Sequence, residues 1–205
     1  MIDLRLIEQN ILRDNVYENA VAHGWHKERH SNEHWLMMII TEMVEAIQAD
    51  RHLIYAEKDA FVKDTTRAAT AMMSQDLFAE YCQDSFEAHI KDSFEDELAD
   101  IVIRCYDYLG MKGIDVNMWF EKHNVYKDLS DVVKVYVRLS VPEFMFLLTR
   151  HFSECDDRSH VCNQVCIVLW LVYQFADERD IDLIWYITHK MLYNEKRPYK
   201  HKCKY

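Results

Sequence analysis

Apolar residues recur every three or four positions along most of the chain, which is the spacing of amphipathic helices. No segment shows the sustained alternation that is typical of a β-strand. The valine-rich stretch DVVKVYVRLS, residues 131–140, is ambiguous and also suits an extended segment. The pattern predicts an all-α helical bundle, with helices over residues 3–23, 31–55, 59–83, 92–110, 114–127, 130–137, 141–153, 158–178 and 181–194.

Several helix ends carry recognisable signals. Ser31 is predicted to cap the second helix by accepting a hydrogen bond from the backbone amide three residues later. Pro142 suits the first turn of a helix, where its missing N–H costs nothing. Gly24 is expected to end the first helix, and Gly110 and Gly113 to mark the break between the fourth and fifth.

A weak internal repeat relates two parts of the chain, 100–128 and 166–196. If the repeat is real, the single domain over 1–205 is a pseudo-dimer whose degenerate second half begins at about 128. Two amphipathic halves could also resemble each other without any duplication. Under the duplication, four acidic positions of the first half, Glu42, Glu45, Glu97 and Asp100, would be replaced in the second by Arg150, Ser153, Asn163 and Cys166.

Composition narrows the function classes. The chain has 205 residues with only three glycines and two prolines, and neither a G-x-G-x-x-G nor a Walker sequence occurs. The net charge of −11 argues against a nucleic acid polymer as partner. No signal peptide is visible, no apolar run reaches membrane-spanning length, and the six cysteines form no C-x-x-C pair. These features predict a cytoplasmic protein with reduced cysteines and no membrane partner.

Two pairs of acids stand inside apolar helical runs: Glu42 with Glu45, and Glu97 with Asp100. Residues three apart lie on one face of a helix, so each pair points together. Carboxylates brought close by packing repel each other unless a cation neutralises them, and oxygen ligands suit Mg²⁺ or Mn²⁺. Ordinary exposed acids on amphipathic helices are the alternative. A di-iron carboxylate site is disfavoured because the chain has no Glu-x-x-His.

This carboxylate pattern, over about 31–110, resembles the all-α nucleoside triphosphate pyrophosphohydrolases, the MazG-like proteins and dimeric dUTPases. The stretch GWHKERHSNEHWL, residues 24–36, resembles their Trp-containing loop, and the tail HKMLYNEKRPYKHKCKY, residues 189–205, resembles their basic segment. One departure is that the segment directly after the second acidic helix, FEKHNVYKDLSD, contains no arginine. The resemblance leaves open which basic segment serves the site.

The resemblance implies a hydrolase that cleaves a nucleoside triphosphate to a monophosphate and pyrophosphate, with Mg²⁺, or Mn²⁺ in its place. The metal would be held by the four acids, and Glu45 or Glu42 would activate water. A homodimer is also expected, although an internally duplicated chain could act alone. The substrate-binding residues would be Lys190, Arg197 and Lys200 for the outer phosphates, Asn194 for a phosphate or sugar oxygen, and Trp25 with His26 for the base.

Each role has a structural alternative. Lys190 and Asn194 lie at the end of a predicted helix, where a lysine favourably meets the helix dipole. The basic tail could be a solvated end of the chain, and Trp25 could be a core anchor. A non-catalytic nucleotide-binding protein of the same fold and a helical interaction protein therefore both remain as functions that compete with the enzyme.

Overall fold

The computed structural model describes residues 8–71, 74–123, 131–153 and 158–199, and these residues form ten helices and no strand. The all-α prediction is therefore confirmed. The helices are α1 (Gln9–Ala22), α2 (Asn32–Arg51), α3 (Lys58–Thr70), α4 (Gln75–His89), α5 (Phe94–Lys112), α6 (Val116–Lys122), α7 (Asp131–Tyr136), α8 (Val141–Arg150), α9 (Arg158–Asp177) and α10 (Leu183–Glu195).

Helix α5 is the centre of the bundle, and α1, α2, α9 and α10 pack against it. Residues on nearly every side of α5 are buried, as in a helix enclosed by others. Three acids on α5, Asp96, Glu97 and Asp107, are nevertheless buried. Because burying a charge is costly without a partner, these acids mark the part of the core where chemistry is expected.

The stretch 59–83 was predicted as one helix and is two. Helix α3 ends at Thr70, and Ser74 starts α4 by accepting a hydrogen bond from the Leu77 amide at 3.4 Å. The periodicity continues across the break, so the apolar pattern alone does not reveal it. The resulting α3–α4 hairpin lies in the chain between the two acidic helices, α2 and α5.

The other boundary signals are largely confirmed. Ser31 caps α2 by accepting from the His34 amide, and Pro142 stands in the first turn of α8. Gly24 follows α1 with φ +83°, and Gly113 caps α5 with φ +67°. The prediction for Gly110 was wrong, because α5 continues through it to Lys112.

Gly110 instead lets two helices approach closely. A Cβ atom at this position would lie 2.6 Å from Cβ of Tyr17 on α1, which no real packing allows. The glycine is therefore required by the crossing of α1 and α5 and not by a turn.

The first part of the valine-rich stretch is helical, because α7 spans Asp131–Tyr136. Val133 of α7 and Val137, just beyond its end, are buried in the core. Helix α2 packs against α8 and α5 against α9, but the internal duplication stays a prediction. Cys82, Cys105 and Cys166 are free thiols. Among the described residues, no helix is long and apolar enough to cross a membrane.

Candidate active site

The two acidic motifs meet where α2 packs against α5. Glu42 of α2 and Glu97 and Asp100 of α5 each place a carboxylate oxygen within 4.8 Å of the others. We refer to these three residues as the metal triad, because their oxygens could hold a metal ion. The period of each helix turns its acids to one face, and the packing of α2 on α5 brings the two faces together.

Burial makes the metal triad unusual. Glu42 is 7% exposed and Glu97 is 4% exposed. Burial raises the pKa of Glu97 to about 9, and repulsion from Asp100 adds to the rise. Burial also raises the pKa of Glu42 to about 7, although the Arg104 guanidinium opposes it. Without a cation these two carboxylates are therefore protonated more readily than ordinary glutamates.

Glu97 carries an unused ligand atom. Its Oε2 is buried and has no hydrogen-bond partner among the described residues. Buried polar atoms are rarely left unpaired, because the cost of removing them from water is then not recovered. An unpaired carboxylate oxygen beside two further carboxylates is the arrangement expected where a divalent cation binds.

Glu45 lies beside the metal triad and is not one of its three residues. It is exposed on α2, one turn beyond Glu42. Partial burial raises the pKa of Glu45, and the negative charge of Asp100 raises it further. Its position beside the metal triad, with contact to solvent, suits a group that exchanges protons with water.

Arg104 was not singled out from the sequence. Its Nε donates to Oε1 of Glu42 at 2.8 Å, which links α5 to α2. Arg104 follows Asp100 by four residues, so it lies on the same face of α5. This spacing was a signal that could have identified it.

Lys190 lies in the acidic cluster. Its Nζ is 2.7 Å from Oδ2 of Asp96 and 2.7 Å from Oδ2 of Asp100, and its side chain is 5% exposed. Burial lowers the pKa of Lys190, but the carboxylates of Asp100 and Asp96 outweigh burial and hold it above the ordinary value. The role predicted for Lys190, binding outer phosphates, therefore has to compete with two carboxylates.

Asp96 was not predicted from the sequence either, because it does not belong to the two pairs of acids spaced three residues apart. It forms a second acidic group with Asp92 and Glu97, again with oxygens within 4.8 Å. Oδ2 of Asp96 accepts from the Asp92 amide at 3.0 Å, and Oδ1 has no partner among the described residues. Burial raises the pKa of Asp96 to about 6, against the effect of Lys190.

A small cleft of about 80 Å³ adjoins the metal triad. It contains three of the predicted substrate-binding residues, Trp25, Asn194 and Arg197, together with Asp100 and Arg104. The remaining walls are Val16, Asn19, Ala20, Ile103, Asp107 and Met191. Trp25 and Asn194, which are 169 positions apart in the chain, thus lie together beside Asp100. Lys200, which was also predicted to bind the outer phosphates, lies outside the described residues.

Asn194 is buried, and its Oδ1 has no hydrogen-bond partner in the described part of the chain. Arg197 is half-buried, with its guanidinium 5.8 Å from the centre of the Tyr193 ring. An amide and a guanidinium on neighbouring turns provide donors for an anionic ligand.

His26 supports the wall of the cleft. Its ring stacks on Trp35 at 4.8 Å, and its Nε2 lies 2.6 Å from Oδ1 of Asp107. The predicted contact of His26 with a base would require this pair to open. The turn at Gly24 is packed against Tyr199, so the Trp25 loop and the segment after α10 hold each other in place.

No family model, curated protein or solved structure matches the chain.

Proposed function

We propose that the chain is a Mg²⁺-dependent nucleoside triphosphate pyrophosphohydrolase, which converts a ribo- or deoxyribonucleoside triphosphate to the monophosphate and pyrophosphate. The observation that carries the proposal is the meeting of Glu42, Glu97 and Asp100, with a buried, unpaired oxygen on Glu97. The position of the cleaved bond rests on the resemblance to MazG-like enzymes.

Glu42, Glu97 and Asp100 would hold Mg²⁺ or Mn²⁺, and Glu45 lies beside them. A bound divalent cation neutralises triphosphate oxygens and polarises the phosphorus that is attacked. The acids alone would repel a triphosphate, so the cation is needed before the substrate can approach them. The raised pKa values of Glu42 and Glu97 agree with carboxylates that await such a partner.

Glu45 is assigned as the general base. It would take a proton from the water whose oxygen attacks the α-phosphorus, while pyrophosphate leaves with the electrons of the broken P–O bond. Its exposure gives water access, and its raised pKa makes it a better proton acceptor than an ordinary glutamate.

Arg197 and Asn194 are assigned to the phosphates and the sugar, and Trp25 to the base or sugar. A cleft of about 80 Å³ is smaller than the ~300–1,000 Å³ of pockets that enclose a drug-sized ligand. Only part of a nucleotide would therefore enter it, and the rest would lie across its mouth toward the metal triad.

A product assay tests the proposal. The protein is incubated with Mg²⁺ and a panel of ribo- and deoxyribonucleoside triphosphates, and products are separated by anion exchange. We expect monophosphate and pyrophosphate, abolished by EDTA and reduced at least about 100-fold by Glu45→Gln. Glu121→Gln is the matched control, because Glu121 is an exposed helical glutamate on α6 outside both acidic groups.

Two other outcomes would count against the enzyme. Diphosphate and phosphate as products would contradict the assigned bond. No product from any nucleotide, with a melting temperature that rises on nucleotide addition, would favour the non-catalytic binding protein. A melting temperature that neither Mg²⁺ nor nucleotide changes would favour a helical interaction protein.

A further inference from the structure

The ammonium group of Lys190 lies where the two acidic groups adjoin. Asp100 belongs to the metal triad and Asp96 to the second group, which consists of Asp92, Asp96 and Glu97. Lys190 Nζ is 2.7 Å from one oxygen of each, and Glu97 belongs to both groups. The buried ammonium group of Lys190 thus contacts both acidic groups, and each group has oxygens that could hold a metal ion.

The second group is otherwise suited to a divalent cation. Asp96 and Glu97 are buried, and each has an oxygen without a partner among the described residues. Asp92 is exposed, and its Oδ2 lies 2.5 Å from Lys91 Nζ, a surface pair that solvent screens. Hydrolases that act on phosphates often hold two metal ions about 3.5–4 Å apart. The five carboxylates of the two groups could form such a site if Lys190 were absent.

With Lys190 present, a second ion meets two obstacles. Oδ2 of Asp96 already accepts from the ammonium and from the Asp92 amide. The ammonium would also repel a divalent cation bound to the same aspartate, and burial weakens the screening of that repulsion.

We propose that Lys190 is an internal counter-cation that takes the place of a second divalent ion, so that the acidic cluster binds one metal ion, at the metal triad. The inference rests on the proposed function for that first ion. In this proposal Lys190 binds the carboxylates and not the outer phosphates of the substrate. Asn194 on α10 and Arg197 just after it then contact the substrate.

Mn²⁺ binding without substrate tests this role. The number of bound ions is measured by isothermal titration calorimetry and by electron paramagnetic resonance, where two neighbouring Mn²⁺ ions show spin coupling. The wild type is expected to bind one ion and Lys190→Met two, because the freed oxygens of Asp96 accept the second. The matched control is Lys58→Met, which removes a lysine paired with Asp182 at 2.9 Å outside the acidic cluster and should leave one ion.

A double variant locates the second ion. In Lys190→Met with Asp96→Asn, the second group loses a ligand, so the count is expected to return to one. A count of two in this double variant would put the second ion elsewhere and overturn the proposal.

Folding provides an independent measurement, because Lys190→Met leaves buried carboxylates without their cation. Mn²⁺ should raise the melting temperature of Lys190→Met more than that of the wild type, and should restore folding if the variant unfolds without metal. A variant that stays unfolded at every Mn²⁺ concentration, or that binds one ion or none, would overturn the proposal.

The wild type separates failure of this inference from failure of the function. Two bound ions in the wild type would refute the counter-cation role and leave the proposed hydrolase standing. No bound ion in the wild type would refute the proposed metal-dependent function itself.

Discussion

Nε of Arg104 donates to Oε1 of Glu42 at 2.8 Å, so a cation from α5 holds the one member of the metal triad that α2 supplies. The pair joins the two acidic helices at the edge of the cluster. It also keeps the pKa of Glu42 lower than burial alone would make it.

Replacing Arg104 with Gln should lower the free energy of unfolding of the metal-free protein by about 1–3 kcal/mol, since a buried glutamate loses its charged partner. The measurement is urea unfolding at pH 7. Arg138→Gln is the control, because Arg138 pairs with Glu178 at 2.7 Å on the surface, where a pair contributes under about 1 kcal/mol. An equal decrease in the free energy of unfolding in both variants would show that the Arg104–Glu42 pair stabilises the protein no more than a surface pair does.

The raised pKa of Glu97 predicts how the free energy of unfolding depends on pH. Its pKa is about 9 when folded and near 4.5 when unfolded, so the unfolded state loses the proton first as pH rises. The free energy of unfolding of the metal-free protein should therefore fall between about pH 4.5 and 9, with a slope of up to about 1.4 kcal/mol per pH unit from this group.

Glu97→Gln isolates that contribution, because the amide keeps the shape and removes the titration. Urea unfolding at several pH values should show the variant gaining stability relative to wild type as pH increases. A difference between the two proteins that stays constant with pH would mean that Glu97 titrates normally.

Metal binding should release protons. Burial raises the pKa of Glu97 to about 9 and that of Glu42 to about 7, so protons held by these carboxylates near neutral pH must leave when they bind Mg²⁺. We expect roughly one to two protons released per ion at pH 7 and close to none at pH 10. Calorimetric titration in buffers of different ionisation enthalpy measures this number, and a binding enthalpy independent of the buffer would contradict it.

Gly24 and Gly113 offer a matched pair of substitutions, since both have positive φ. Alanine at Gly113 meets nothing within 4 Å and should cost about 1–2 kcal/mol from the backbone alone. Alanine at Gly24 would place its Cβ 2.2 Å from the Tyr199 ring, so the cost should be larger. Because Trp25 follows directly, nucleotide binding should weaken in Gly24→Ala and not in Gly113→Ala.

Tyr199→Ala removes the ring that a Cβ at position 24 would meet, so Gly24→Ala should cost less stability in the Tyr199→Ala background than in the wild type. Thermal unfolding and a nucleotide titration measure the two effects. If Tyr199→Ala changes neither, the packing of Tyr199 on the Gly24 turn does not shape the cleft.

Much of the bundle was predictable because helix formation has a local signature. The apolar period located most helices, and capping residues such as Ser31 and Pro142 marked where two of them begin. The break between α3 and α4 was not predicted, because the apolar spacing continues through it. Gly110 was misassigned because its reason is a neighbouring helix, α1, that lies far away in the chain.

For the site, the sequence by itself determined that Glu42 and Glu45 share a face of one helix and Glu97 and Asp100 a face of another, because helical geometry relates residues three apart. The tertiary structure alone decided that Glu45 stands outside the metal triad and that Lys190, 90 residues beyond Asp100, is the cation on it. Pairings of this kind depend on how α2, α5 and α10 pack, and packing is set by the shapes of many side chains at once. No spacing along the chain records that outcome.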